Sequence, residues 1–328
     1  MNNFWAKLEK PFMALAPMAD VTDAAFRRVI AKYGKPDVMF TEFVSADGLC
    51  HPVGREKLLI DLSYTEAERP IVAQLFSGKP EKMFEAAKLV AELDFDGLDI
   101  NMGCPDRSIE KSGAGATLMK NAKLAREVIR AARQGAPLLP ISVKTRLGYN
   151  KDELETWLPE LLAEDLVAVI IHARTRKEMS QVPAHWERIR VAVKIRDNLK
   201  SQTLILGNGD VWDLAEARAK VHETGADGIM FGRAIFGNPW FFRRPNHGSE
   251  EKLEYFPSVK EKLAVMLEHT KLFEKLFRDV KNFAIMKKHY KAYVNGYDGA
   301  KELRVQLMGA NNAGEVEKIV SVFLNIFP

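Results

Sequence analysis

Leu98-Asp99-Ile100-Asn101-Met102-Gly103-Cys104-Pro105 reads as a strand that ends abruptly. Leu98 and Ile100 suit a buried strand. Gly103 and Pro105 then punctuate the chain, so the strand cannot continue. Cys104, one of only two cysteines in 328 residues, stands in the turn. Taken alone, such a cysteine reads most simply as a small buried hydrophobe. On a loop at a strand end it is also placed for chemistry, and its surroundings decide between the two.

Outward from this stretch the chain alternates. Short apolar runs at Phe12–Pro17, Asp37–Phe43, Ile71–Phe76, Gly97–Met102, Ile141–Thr145, Val167–His172, Thr203–Gly207 and Gly228–Phe231 read as eight strands. Helical periodicity fills most intervals: Thr22–Tyr33 with Thr22 as its N-cap, Pro80–Leu93, Asn121–Arg133, Lys151–Glu164, His185–Leu199 and Val211–Glu223. Strand–helix alternation of this count predicts a parallel α/β fold, a TIM (β/α)8 barrel. No Gly-x-Gly-x-x-Gly turn follows the first strand, which speaks against a dinucleotide-binding doubly wound sheet. Gly237–Pro245 reads as the exit from the barrel and Asn246–Tyr255 as a polar linker. Beyond Pro257 the periodicity is purely helical, over Lys260–Phe277, Val280–Val294, Ala300–Met308 and Gly314–Phe327. The expected division is a catalytic barrel over 1–245 and an all-helical domain over 246–328.

In such a barrel, function sits on the loops at the carboxyl ends of the strands. Those ends carry Pro17-Met18-Ala19, Glu42, Gln74, Asn101 with Cys104, Lys144, His172, Asn208-Gly209-Asp210 and Gly232-Arg233. Lys144 and His172 each close a hydrophobic run directly. A lysine so placed would be sunk in the barrel mouth and would need an anionic partner. The glycines after strands seven and eight let backbone approach a ligand, and those loops commonly hold a phosphate in this fold. Backbone N–H groups and Arg233 would be its donors. A phosphate there, a sunken Lys144 and the Gln74 amide together fit flavin mononucleotide, FMN, with Lys144 stabilising negative charge on the reduced ring.

Composition excludes several other classes. Hydrophobic residues make up 47% and charged residues 28%, ordinary for a globular protein. Two cysteines rule out a disulfide framework, and no tight His/Cys cluster suggests zinc. The first ten residues lack the apolar core of a signal peptide, and no run approaches the length of a membrane span. The expectation is a cytoplasmic protein with no membrane association and no indicated protein partner. A net charge of +4 permits a nucleic-acid partner without requiring one.

At this point the residues resemble a family, the tRNA-dihydrouridine synthases, over essentially the whole chain. The resemblance rests on Ala16-Pro17-Met18-Ala19 with Val21-Thr22-Asp23, Gln74-Leu75-Phe76, Asn101-Met102-Gly103-Cys104-Pro105, Lys144-Thr145-Arg146-Leu147-Gly148, His172-Ala173-Arg174-Thr175-Arg176, Asn208-Gly209-Asp210 and Gly232-Arg233. It implies a flavoenzyme that reduces a uridine in tRNA, with NADPH or NADH as reductant. Pro17, Met18 and Ala19 would line the flavin. Gln74, Lys144 and His172 would contact its ring or ribityl part, and Asn208, Gly209, Asp210, Gly232 and Arg233 would hold the phosphate region. Asn101 would bind the target uracil. Hydride addition at C6 leaves enolate-like charge on C5 and O4, and Cys104, as a thiol, would give the proton to C5. The chain departs from the family pattern at Ala173, where glycine is frequent, and at His185, where an acidic residue is common.

A base inside folded tRNA must be drawn out of its stack, and a basic surface must hold the phosphates. Arg174 and Arg176 at the barrel rim are candidates for substrate contact. Residues 278–304 carry seven lysines and arginines against three acids, and Lys287-Lys288-His289-Tyr290-Lys291 interleaves base with aromatic, as an RNA-binding face could. A flavin barrel acting on a free pyrimidine, dihydroorotate dehydrogenase-like, is the competing reading. It would share the flavin loops but have no need of the basic helical tail.

Overall fold

The eight expected strands form, and each runs parallel to its neighbours. They are β1 (Phe12–Leu15), β2 (Met39–Ser45), β3 (Ile71–Phe76), β4 (Gly97–Asn101), β5 (Ile141–Arg146), β6 (Ala168–His172), β7 (Leu204–Asn208) and β8 (Gly228–Phe231). The computed structural model describes residues 3–243 and 255–326. The sheet order is β1-β8-β7-β6-β5-β4-β3-β2. A parallel bridge between Ala14 and Val38 joins the two end strands, with the Leu15 N–H donating to the Val38 carbonyl at 3.0 Å. The ring therefore closes into the expected TIM barrel.

Strand register fixes what the interior holds. Side chains alternate across a strand, so one parity faces inward, with a change of parity at the register shift in β2 between Phe40 and Phe43. Toward the amino-terminal ends that parity is apolar: Phe12, Phe40, Val72, Ala168, Ile170 and Leu206 are wholly buried in one cluster. Trp5, on the N-terminal turn Phe4–Lys7, joins the same cluster and packs edge-on against Phe12 at 5.7 Å. Toward the carboxyl ends the same parity becomes polar. Gln74 pairs in register with Asp99, Asp99 with Ser142, Asn101 with Lys144, Arg146 with His172, and His172 with Asn208.

The chain divides into two compact units. The first comprises Met1–Met18 and Pro36–Gly232, and the second Ala19–Lys35 and Arg233–Pro328. The boundary drawn at 245/246 and most of the linker fall outside the described residues, as do Arg244, Pro245 and Phe327. The first helix, Ala24–Tyr33, is capped by Asp23 rather than Thr22, because the Asp23 carboxylate accepts from the Phe26 N–H at 3.0 Å. It belongs to the second unit and not to the barrel. Tyr33 donates to Glu268 at 2.6 Å and Lys32 pairs with the same carboxylate at 2.7 Å, on the helix Val259–Phe277. Phe26 stacks on His269 of that helix at 5.1 Å.

Two further differences follow from local chemistry. Val280–Val294 is not one helix; Asn282 caps a separate turn, Phe283–Ile285, before the helix Met286–Tyr293 begins. On that helix Met286, His289, Tyr290 and Tyr293 are buried at helical spacing. The aromatics of Lys287–Lys291 therefore belong to the core of the second unit, and only Lys288 and Lys291 of that run are exposed. An interleaved sequence becomes two separated faces at 3.6 residues per turn.

Candidate active site

The Cys104 loop is held from four directions. Asn101 Oδ1 accepts from the Gly103 N–H at 3.1 Å and the Cys104 N–H at 2.9 Å. Arg146 Nε donates to the Gly103 carbonyl at 2.8 Å, and Thr145 Oγ1 to the Met102 carbonyl at 3.3 Å. The Ala116 N–H donates to the Cys104 carbonyl at 3.0 Å. Gly115 stands at φ +60°, where a Cβ would lie 2.8 Å from that same carbonyl, so only glycine fits. Burial raises the Cys104 thiol above its ordinary range, keeping it protonated at neutral pH.

Beside the loop lies a polar layer across β3–β7. Asp99 is wholly buried, and accepts from Gln74 Nε2 and from Ser142 Oγ, each at 2.6 Å. Burial pushes its carboxyl up to about 6. Gln74 Oε1 accepts in turn from Asn101 Nδ2 at 3.0 Å. Among the described residues Lys144 meets no carboxylate directly. Its ammonium donates to the neutral Asn208 Oδ1 at 3.1 Å, and Asn208 donates its own N–H to the Met230 carbonyl at 2.8 Å. Desolvation, with Arg146 adding like charge, lowers Lys144 to about 8. The expected anionic partner is thus replaced by an amide, and an under-compensated cation points to an anionic ligand there.

At β6 and β7 the arrangement differs from the rim expected of two arginines. The Arg174 side chain is only 2% exposed. It donates to the Val182 carbonyl at 2.6 Å, pairs with Asp210, and donates to His172 Nε2 at 3.1 Å. A guanidinium can only donate, so Nε2 is the accepting nitrogen of His172. Arg176 pairs bidentately with Glu110 and stacks over Tyr149 at 5.2 Å, tying the loop after β6 to the one after β4. Gly209, at φ +122°, has room for no Cβ without pressing His172 and Ala184 at 3.1 Å. Gly232 lies open beside Met18, its Cβ position 3.5 Å from the Met18 sulfur. Ala173 and His185, the two departures, are joined through the His185 N–H to the Ala173 carbonyl at 2.7 Å.

Pro17, Met18, Gln74, Asn101, Cys104, Lys144, His172, Arg174, Arg176, Asn208, Gly209, Asp210 and Gly232 therefore all belong to one unit, at the carboxyl ends of its strands. Ala19 and Arg233 belong to the other. Asp99, Ser142 and Arg146 were not among the expected site residues. A sequence signal for them existed: each shares strand parity with Asn101 or Lys144.

The family model for dihydrouridine synthase (Dus) matches residues 14–326. The chain belongs to the dihydrouridine synthase family. It is 42% identical over 324 residues to a probable tRNA-dihydrouridine synthase 2 of Bacillus subtilis, covering 98% of this chain and 97% of that one. It is 41% identical over 324 residues to a probable tRNA-dihydrouridine synthase of Staphylococcus epidermidis, covering 98% and 96%. Among solved structures, histamine dehydrogenase from Rhizobium sp. 4-9 matches with a TM-score of 0.50 at 13% identity, over 70% of this chain and 44% of that one, a likeness of fold. Among the described residues no helix is long and apolar enough to cross a membrane, and no group of three or more His, Cys, Asp or Glu could hold a metal.

Proposed function

We propose that this protein reduces a uridine of tRNA to 5,6-dihydrouridine in the cytoplasm, with FMN as bound cofactor and NADPH or NADH as reductant. The observation that carries the reading is the pairing, on adjacent strands, of a desolvated Lys144 with an Asn101 that holds Cys104. The names of the relatives support the substrate, and the donor set fits the cofactor. Lys144, Gln74, His172 and Asn208 would meet its polar edge, and Gly209, Asp210 and Gly232 its phosphate region. Pro17 and Met18 would line it. The reduced flavin, when bound, supplies the hydride for C6 of uracil.

The chain's own residues do the rest. Asn101 orients the base. Cys104 arrives as thiol, gives its proton to C5 and is left as thiolate. Lys144 and Arg146 are the nearby cations that stabilise that thiolate until solvent reprotonates it. Arg174 and Arg176 act by bracing the loops after β6 and β7 against Asp210 and Glu110. Exposed lysines such as Lys288 and Lys291 are the candidates for tRNA phosphates.

Turnover tests this directly. Purified protein is mixed with unmodified tRNA and NADPH, and the digested RNA is weighed by mass spectrometry. Uridine carrying two added hydrogens is the expected product. NADPH consumption accelerated by free uracil or orotate, with unaltered tRNA, would replace this reading with the free-pyrimidine one.

A further inference from the structure

Five hydrogen bonds form one continuous relay under the proposed site. It runs from Ser142 and Gln74 on the Asp99 carboxylate, through Gln74 Oε1 and Asn101 Nδ2, to Asn101 Oδ1 and the Gly103 and Cys104 N–H groups. Its two ends are chemically fixed. A backbone N–H can only donate, and an ionised carboxylate can only accept. Each amide between them has one donating and one accepting end. Only one orientation of Gln74 and Asn101 satisfies every bond, so the direction of the relay is dictated and not chosen.

We propose that Asp99 is a positioning residue: it locks the Gln74 and Asn101 amides in the orientation that holds the Cys104 loop. This deepens the proposed function, since Cys104 is its proton donor, but the relay is a property of the chain alone. Take Asp99 away and Gln74 loses the acceptor that fixes its amide. A flipped Gln74 presents N–H to the Asn101 N–H, and Asn101 must turn its oxygen away from Gly103 and Cys104 to follow. Two backbone donors are then left without partners in a buried turn, which the loop relieves by moving. The carboxylate on β4 also exerts a Coulombic pull on Lys144, but it makes its hydrogen bonds to Gln74 and Ser142, not to that ammonium. An apolar residue there would pack as well without the cost of a buried acid.

The test reads the thiol itself. In a Cys50→Ser holoenzyme, where Cys104 is the sole cysteine, alkylation by iodoacetamide is followed by mass spectrometry across pH. Asp99→Ala should release the loop, so that alkylation at pH 8 rises about tenfold as burial of the thiol is relieved. Its kcat on tRNA should fall roughly a hundredfold, the cost of about 1 Å of misplacement, with KM little changed. Asp99→Asn still offers an oxygen to Gln74, while its amide N–H can donate to the Ser142 hydroxyl. That variant should alkylate within about twofold of the parent, since the thiol environment is kept. Parental alkylation in Asp99→Ala overturns the proposal, as does an Asp99→Asn that matches Asp99→Ala, which would make charge the operative property. Should Asp99→Ala not fold, Gln74→Met breaks the same relay one residue along and must give the same acceleration. Alkylation needs no tRNA, so its outcome stands even if the parent fails to reduce tRNA.

Discussion

The two ends of the barrel interior are built from the same strands and differ in what they cost. At the amino end, Trp5, Phe12, Phe40, Val72, Ala168 and Leu206 fill the barrel with apolar volume and leave nothing to titrate. At the carboxyl end, Gln74, Asp99, Asn101, Lys144, Arg146 and His172 replace that volume with polar groups, three of them (Asp99, Lys144 and Arg146) titrating far from their ordinary values. Often only two residues along one strand separate the regimes: Val72 from Gln74, Ile170 from His172. The first end stabilises the fold. The second draws on that stability to hold charge and amides in place for chemistry.

That contrast breaks most sharply with one substitution at each end. Phe40 is wholly buried, and Phe40→Ala should lose about 3–5 kcal/mol in denaturant unfolding. The folded fraction should keep its kcat. Lys144→Met should do the reverse. Turnover should fall about a hundredfold, as for loss of one preorganised charge donor, while the melting temperature at neutral pH rises. The sign follows from linkage. Lys144 is held at about 8 in the folded chain against 10.5 in the unfolded one, so the unfolded state holds more protons between those values and stability climbs with pH across that window. Lys144→Met should flatten the climb, which amounts to at most about 3 kcal/mol. A wild-type stability curve flat from pH 8 to 10.5 would contradict the burial of charge at this end.

The second unit sharpens the comparison, because it buries titratable groups without partners. His269 and His289 meet edge to face at 4.6 Å, and none of their four ring nitrogens has a hydrogen-bond partner among the described residues. Burial depresses both, His289 to about 3. Folded values below 6.5 mean that acid favours the unfolded chain, so stability should fall as pH drops below about 6.5. His289 alone should account for about 2 kcal/mol between pH 7 and pH 5. His289→Leu should remove that part of the slope. The smallest effect belongs to the surface. Lys291→Ala should lower the slope of log affinity for tRNA against log salt by about one, with little change in fold stability.

What was legible follows the same division. Strand positions were readable because apolar runs end in glycine, proline or polar residues, and the polar ends of five strands named most of the site. The relay through Asp99 and Ser142 is not legible in the sequence, because an acid inside Gly97-Leu98-Asp99-Ile100 looks like noise until strand register shows it level with Gln74. In the sequence Arg174 looks like a rim cation, because its partner Asp210 lies thirty-six residues away on another loop. Its place in the chain puts the helix Ala24–Tyr33 in the barrel, whereas Phe26 and Tyr33 pack on the helix Val259–Phe277. Periodicity is local and shows in a single chain; the long-range pairing of polar groups does not.

The central claim is that the carboxyl end of the barrel delivers a proton from Cys104. Rapid mixing of the Cys104→Ala holoenzyme separates that step from its neighbours. Reduction of the bound flavin by NADPH should proceed at the wild-type rate, followed as loss of its visible absorbance. Reoxidation by unmodified tRNA in a single turnover should slow by about 10²–10⁴, the range for removal of a general acid. Reoxidation at the wild-type rate, with dihydrouridine formed, would contradict the account.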